Sequence, residues 1–396
     1  MPRKTTKNLM TTTKKRKITD LRYYCNQKFW WLSVDIEKCQ TLSCCAATPS
    51  RINLEWLSQN SGGLFNTPAL QIERQAMLDN IPVSSCSATC WTAEKNQLIS
   101  RRLAMQGNLI THTNLNARPE TLHIIVGSNC NMTCVYCCKQ FSTAWKQDII
   151  NNGPYAVPTA DDRFKLNQQD QILLKIGQKN IAKAQFSTLL LEEIAHLIAD
   201  SPLNEVHING GETFLYLNLE QLIANIPKNL PIQVWSGLGV DTKRFTRELD
   251  KLDKFENVTI SISAENTNSL YEFTRYGNTW ARFQANLKEI QVRNIPYRFN
   301  ATISNLTVFG LQDFINFAGD TPITIEPCTD PEFLAINILD PESRNYIPNS
   351  IRHLMTDSIP TEVHRQHLKI YLQEFAVRRN LNLTCFPKSF ITWINE

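Results

Sequence analysis

Three cysteines set the chemistry to be explained. Cys130, Cys134 and Cys137 form a C-x3-C-x2-C array inside "HIIVGSNCNMTCVYCCKQF", His123 to Phe141. Three thiolates this close on one loop can hold three positions around a zinc ion, or three corners of an iron–sulfur cluster. A four-iron cluster usually takes four cysteines, so three ligands would leave one iron free for another molecule. A second set lies upstream: Cys25, Cys44 or Cys45, Cys86 and Cys90, with Cys39 as an unassigned competitor. Strand alternation would put Cys44 and Cys45 on opposite faces, so one of them can face a shared metal. Cys86 and Cys90, four apart, suit one helical face or one loop. Four such thiolates fit a cluster, a zinc knob or ordinary buried thiols.

The elements that position these cysteines read as alternating strands and helices. Apolar, β-branched runs occur at Leu122–Val126, Val206–Ile208, Ile232–Trp235, Val258–Ser263, Tyr297–Ile303 and Ile323–Ile325. Helical periods fall between several of them: Phe245, Leu249, Leu252 and Phe255 form one apolar face, and Trp280, Phe283, Leu287 and Ile290 another. Six strand–helix units predict a parallel sheet, either a partial TIM-like barrel or an open doubly wound sheet. Both place ligands at the C-terminal ends of the strands, where the Cys130 loop falls. Upstream, "FWWLSVDIEKCQTLSCC" predicts a small hairpin turning near Glu37–Lys38, and a helix follows over Ala69–Leu78 with Pro68 in its first turn. A helix bearing Leu368, Tyr371, Leu372 and Phe375 on one face is predicted near the C-terminus. Between Cys138 and Phe186 nearly fifty residues interrupt the alternation, and an insertion of that length is expected either to cap the mouth near the cysteines or to decorate the surface.

At 396 residues, 42% hydrophobic, the chain can bury a large core in two or more domains. No apolar run approaches the ~20 residues that span a bilayer, and no apolar block follows the basic N-terminus. The expectation is a protein with no membrane contact, working in the cytoplasm, whose 12 cysteines are ligands or reduced thiols. Net charge is +4, but residues 1–17 carry seven basic side chains and no acid. Without those seven the net charge becomes −3, so the tail is a solvated segment or a tether for a polyanion. His364 and His367 lack a third ligand nearby and read as solvent-facing; Cys138, Cys328 and Cys385 read as buried thiols.

Two motifs together resemble the radical S-adenosylmethionine (radical SAM) enzymes. One is the cysteine array after the first strand; the other is Gly210-Gly211-Glu212 ending the second, in "NGGET". The resemblance implies a partial (β/α)6 TIM-like barrel over 121–330. It implies a [4Fe–4S] cluster on Cys130, Cys134 and Cys137 that binds S-adenosylmethionine, with Gly210, Gly211 and Glu212 at the methionyl amine. "ISISAENTNSLYEFTRYG" resembles the family's fourth-strand segment, implying Ser261, Ser263 and Arg275 at the ribose and carboxylate, and Tyr136 implies packing near adenine. Asn300, Thr302 and Glu326 remain candidates for the barrel interior or for substrate.

The upstream layout, "C-N-Q-K-F … D-I-E-K … C-C" followed by C-x3-C-W-x2-E and a Ser-Arg pair, resembles the family's twitch and SPASM modules. Over 19–120 it implies an auxiliary [4Fe–4S] cluster on Cys25, Cys44 (Cys45 as alternate), Cys86 and Cys90. The hairpin glycine of those modules is missing here, and the module precedes the barrel rather than following it. A disordered tail over 1–18 and a C-terminal helical extension over 331–396 complete the expected organisation. The implied activity is reductive cleavage of S-adenosylmethionine to a 5′-deoxyadenosyl radical. That radical would abstract hydrogen from an amino-acid-bearing substrate in a rearrangement or a bond formation, with electrons from a flavodoxin- or ferredoxin-type reductant. A peptide, a small molecule or an amino-acid-modified thymidine in viral DNA (then in a host cytoplasm) are the substrate candidates. The competing reading is a cysteine-rich zinc protein that binds nucleic acid through its tail.

Overall fold

The computed structural model describes residues 21–95, 97, 99–106, 112–158, 162–167, 181–355 and 362–396. The basic tail and the middle of the 138–186 insertion lie outside the described residues. Eleven strands are described: β1 (Trp31–Asp35), β2 (Gln40–Leu42), β3 (Ser50–Arg51), β4 (Thr121–Ile125), β5 (Thr133–Cys134), β6 (Glu205–Asn209), β7 (Ile232–Ser236), β8 (Val258–Ser263), β9 (Arg275–Tyr276), β10 (Tyr297–Ile303) and β11 (Ile323–Pro327). Nine of them form one sheet in the order β11-β10-β8-β7-β6-β4-β1-β2-β3.

The six predicted strands are β4, β6, β7, β8, β10 and β11, adjacent in chain order and all parallel. A doubly wound sheet would reverse its order part-way. This run does not, so of the two architectures open to the sequence the singly wound one is realised. Alternation divides its faces. Leu122, Ile124, Val206, Ile208, Val234, Ile260 and Phe299 join the helices Thr242–Asp250 and Trp280–Val292 in one core. The opposite face carries His123, His207, Gln233, Ser261 and Asn300, polar side chains that a flat sheet would leave in water. His123, His207, Gln233 and Ser261 are nevertheless buried. The sheet curls: Cys45, in the loop after β2, lies within electrostatic reach of Glu326 on β11, near the other end of the strand order.

The hairpin predicted near Glu37–Lys38 is β1–β2, and Asp35 Oδ1 accepts from Lys38 N at 2.8 Å to close its turn. Cys39 takes the left-handed conformation (φ 55) that a turn of this kind usually assigns to glycine, which accounts for the missing glycine. The cysteine-rich segment does not form a sheet of its own. β1 pairs in parallel with β4, Leu32 beside Leu122 and Val34 beside Ile124, so the barrel sheet runs on into the segment expected as a separate module. The helix predicted over Ala69–Leu78 is Pro68–Leu78, with proline at its start, where its missing N–H has no partner to lose.

The described part of the insertion is core rather than a cap. Trp145, Tyr155 and Phe164 surround Tyr371 of the helix Glu362–Arg378, with ring centroids 6.4, 5.7 and 5.4 Å away. That helix buries Leu368, Tyr371, Leu372 and Phe375, as its periodicity predicts. His364 and His367 are half-buried rather than solvent-facing: His364 Nε2 is 3.2 Å from Glu332, and His367 stands edge-on to Phe333. Trp145→Ala should lower unfolding stability by about 3–5 kcal/mol in chemical denaturation. Ile72→Ala, at a 69% exposed position, should change it by no more than about 0.5 kcal/mol.

Candidate functional site

The Cys130 loop leaves the C-terminal end of β4 and is bound to the chain on every side. Gly211 N and Glu212 N donate to the carbonyls of Gly127 and Asn129, both at 2.8 Å. Ser128 donates twice to Glu37 Oε2 in the hairpin turn, at 2.7 Å from its N–H and 2.7 Å from its hydroxyl. Trp145 Nε1 donates to Cys134 O at 3.0 Å, and Ser142 Oγ to Met132 O at 2.6 Å. The C-terminal helix braces the same loop, Tyr371 donating to Val135 O and Arg379 Nε to Thr133 Oγ1 at 2.9 Å.

Two glycines leave no room for anything larger. A Cβ on Gly211 would lie 2.7 Å from Asn129 O and 2.8 Å from Cys130 Cβ. One on Gly277, at φ +104, would meet Asn131 O at 2.3 Å. Gly210 and Gly211, implied as approach points for a ligand, are thus occupied by the cysteine loop on the side where a Cβ would project. Glu212 is buried, and its oxygens accept from Ser236 Oγ at 2.7 Å, Gly237 N at 3.0 Å and Phe214 N at 3.4 Å. Burial raises its pKa, with those donors opposing the shift.

Arg275 is a buried charge, and its carboxylate partner belongs to the chain itself. β9 pairs with β5 so that Arg275 lies opposite Cys134. The guanidinium donates from Nε to Glu265 Oε1 at 3.1 Å and from Nη2 to Oε2 at 2.8 Å, with Glu265 fully buried. Its Nη1 donates to Cys134 Sγ at 3.8 Å, and Tyr136, implied as an adenine neighbour, hydrogen-bonds through its hydroxyl to both Arg275 and Glu265. Ser261 accepts from Arg298 Nε at 3.0 Å and from Gln233, below the cysteine end of β8; Ser263 lies one step nearer that end. Asn300, Thr302 and Glu326 share the polar face, since Phe299, Ala301 and Ile303 turn into the cores. Glu205, Gln233, Thr259 and Arg298 line a cavity of about 320 Å³ at the opposite, N-terminal end of the strands.

The three thiols lie within electrostatic reach of one another: Cys134 raises the pKa of Cys130, and Cys134 and Cys130 raise that of Cys137. Burial, then Cys134, pushes Cys130 up to about 12; burial pushes Cys134 up to about 11 against the pull of Arg275; burial raises Cys137 well above its ordinary value. Met132 N also donates to Cys130 Sγ, at 3.4 Å. Hydrogen bonds and a guanidinium on sulfur favour thiolates, the form a metal requires. Among the described residues, no three His, Cys, Asp or Glu side chains converge on a single ion position. One zinc would draw its sulfurs to ~2.3 Å from a common centre, whereas a cluster gives each cysteine its own iron. Three thiols on one loop offer the soft donors that a cluster would take, one sulfur to each iron.

Upstream, Cys25, Cys44, Cys86 and Cys90 are all buried and Cys45 is exposed, which separates Cys44 from its alternate. Cys44 and Cys45 sit in the turn after β2 rather than on a strand. Cys44 and Cys86 each count Lys28 and Cys90 among their electrostatic neighbours, Cys86 also counts Cys44, Cys25 counts Lys28, Cys44 and Cys86, and Cys45 counts Cys90. Cys39 has only Asp35 as such a neighbour. Cys86 caps and Cys90 lies within a π-helical turn, Ser87–Trp91, tied to the Cys44 loop by Thr89 Oγ1 donating to Ala46 O at 2.9 Å. The Glu and Ser-Arg pair that follow form a clasp: Arg102 and Ser100 hold Glu94, and Arg102 Nη1 donates to Tyr24 O at 2.9 Å, next to Cys25.

No family model and no curated protein matches the chain. Among solved structures, native anSMEcpe with bound AdoMet is similar at 12% identity and a TM-score of 0.36, over 65% of this chain and 60% of that one. The same protein with bound AdoMet and the Cp18Cys peptide gives 11% and 0.34, again over 65% and 60%. The chain therefore matches less than two thirds of the length of these structures.

Sequence reasoning missed Glu265, Glu37, Lys28 and Met132, whose side chain fills the space over Gly237 and Gly239. "SGLG" after the third strand was the available signal for those glycines; none marked the acids. Gly211→Ala should displace the Cys130 loop and lower iron uptake on anaerobic reconstitution. Because the apo thiols are protonated at neutral pH and must lose protons to bind metal, iron loading should rise with pH between about 6.5 and 9. Iron and sulfide analysis across that range checks the sign.

Proposed function

We propose that this chain is a radical SAM enzyme acting on a carbon of an amino-acid-bearing substrate. The observation that carries the reading is the Cys130 loop at the C-terminal end of the first strand of a singly wound parallel sheet, packed onto Gly210-Gly211 at the end of the next. When bound, a four-iron cluster with S-adenosylmethionine on its open iron supplies one-electron cleavage of that cofactor and hydrogen abstraction from an unactivated carbon. Cys130, Cys134 and Cys137 are the residues that would hold it, and Cys25, Cys44, Cys86 and Cys90 would hold a second cluster. Arg275, fixed by Glu265, keeps positive charge on Cys134. The curled sheet keeps water from the reacting carbon and presents His123, which burial and His207 push down to about 4, as a neutral hydrogen-bonding group.

The charges of the polar face support the substrate class. At the cysteine end of that face stand Asp35, already paired with Lys38, and Glu326, which is exposed and would suit an ammonium group better than a phosphate. The amino-acid part of a peptide, or of an amino-acid-modified thymidine, would then enter the interior and any backbone phosphates would stay outside. A flavodoxin- or ferredoxin-type protein would deliver the electron.

Anaerobically reconstituted protein with dithionite and S-adenosylmethionine should form 5′-deoxyadenosine and methionine. Cys134→Ala should abolish that product and remove about half of the iron, the share expected for one of two clusters. Stoichiometric zinc with no iron, or cleavage retained in Cys134→Ala, would refute the reading.

A further inference from the structure

A lysine occupies the least expected place in the molecule, the middle of the upstream cysteines. Lys28 is 1% exposed, and burial opposes its charge, yet Glu73 and the thiols of Cys86 and Cys44 raise its pKa overall. All three of its protons have acceptors: Ser43 Oγ at 2.5 Å, Glu73 Oε2 at 2.7 Å and Ser85 Oγ at 3.0 Å. Ser43 precedes Cys44 and Ser85 precedes Cys86, so the ammonium is fastened to the neighbours of two ligands. Its backbone is fixed as well, since Arg74 Nε donates to Lys28 O at 2.8 Å. Ser43 Oγ also bonds Glu73 Oε2, at 2.7 Å, which completes a ring of polar contacts around the charge.

A buried ion pair adds little to stability over apolar side chains of similar volume. What it gives in a low-dielectric site is a field of fixed sign and position. An ammonium with every proton engaged has none left to donate to sulfur and acts on the thiolates as a point charge. A cluster on four thiolates becomes more negative on reduction, and its potential responds to net charge nearby. We propose that Lys28 is a positioning residue that sets the reduction potential of the auxiliary cluster, its charge favouring the reduced form and Glu73 moderating that charge. The inference rests on the reading of the quartet as an iron–sulfur site.

The experiment is a potentiometric titration followed by electron paramagnetic resonance, on full-length reconstituted protein. The quartet's signal is identified as the one that Cys90→Ala removes. Lys28→Met should lower the reduced-to-oxidised ratio at a fixed potential about tenfold, which is 59 mV for one electron. Glu73→Gln keeps the ammonium and removes the opposing charge, so it should shift the ratio the other way. Loss of packing would not produce opposite signs. If Lys28→Met does not fold, Glu73→Gln decides alone: a rise in the ratio supports the role, and no change or a fall overturns it. An unmoved potential in both variants, or shifts of the same sign, would also overturn it. A quartet that takes zinc or no iron would remove both this role and the second-cluster reading. Failure of the Cys130 loop to cleave S-adenosylmethionine would refute the proposed function and leave the role of Lys28 standing.

Discussion

Steric exclusion at Gly211 is the constraint on which the site depends. The cysteine loop can lie across the end of β6 only because no Cβ stands between Gly211 and the backbone of Ser128 to Cys130. That contact lets the two backbone bonds from Gly211 and Glu212 form, and they in turn fix the direction in which Cys130 leaves the strand. Gly277 repeats the arrangement on the far side of the loop, against Asn131 and Met132. Three thiols separated by seven residues would otherwise sample many arrangements. Here the loop is held between two close-packed glycine contacts, and a cluster would meet ligands already ordered.

The two cysteine sites use one electrostatic device. Each places a buried cation beside thiols and a buried or nearly buried carboxylate behind it: Arg275 with Glu265, and Lys28 with Glu73. The choice of cation differs with the geometry required. Arginine's planar fork takes both oxygens of Glu265 and still has Nη1 left for Cys134. Lysine's compact ammonium distributes its three protons over two hydroxyls and one carboxylate. In both cases the carboxylate prevents the cation from being neutralised by desolvation, the ordinary fate of an isolated buried charge.

The fold was legible because it rests on local periodicity. Strands Val258–Ser263 and Tyr297–Ile303 match their apolar runs residue for residue, since alternating Val, Ile and Phe leave only one pleat that buries them. Cys44 is buried and Cys45 exposed, but in a turn after β2, not on the strand whose alternation was expected to part them. The partners of Arg275 and Lys28 were not legible. Glu265 and Glu73 lie 10 and 45 residues away, and nothing in an isolated acid marks it as destined for burial. The merging of the upstream segment with the barrel was also hidden. The pairing of β1 with β4 joins residues 90 positions apart, and both runs read equally well as strands of separate sheets.

That pairing changes how the two cysteine sites must be understood. Trp31, at the head of β1, packs edge-on against His123 and His207 of the barrel strands, at 5.8 and 5.5 Å, and also belongs to the apolar cluster around Cys44. Trp31 Nε1 donates to Ser33, whose hydroxyl meets His123 Nδ1 at 2.9 Å. If the hydroxyl gives its one proton to Nδ1, the imidazole carries its own proton on Nε2 and presents a donor. Glu37, in the same hairpin, holds Ser128 of the cysteine loop. One hairpin therefore touches the quartet, the polar interior and the Cys130 loop together. The polar face thus adjoins both cysteine sites, and on it burial and the neighbouring His207 keep His123 neutral.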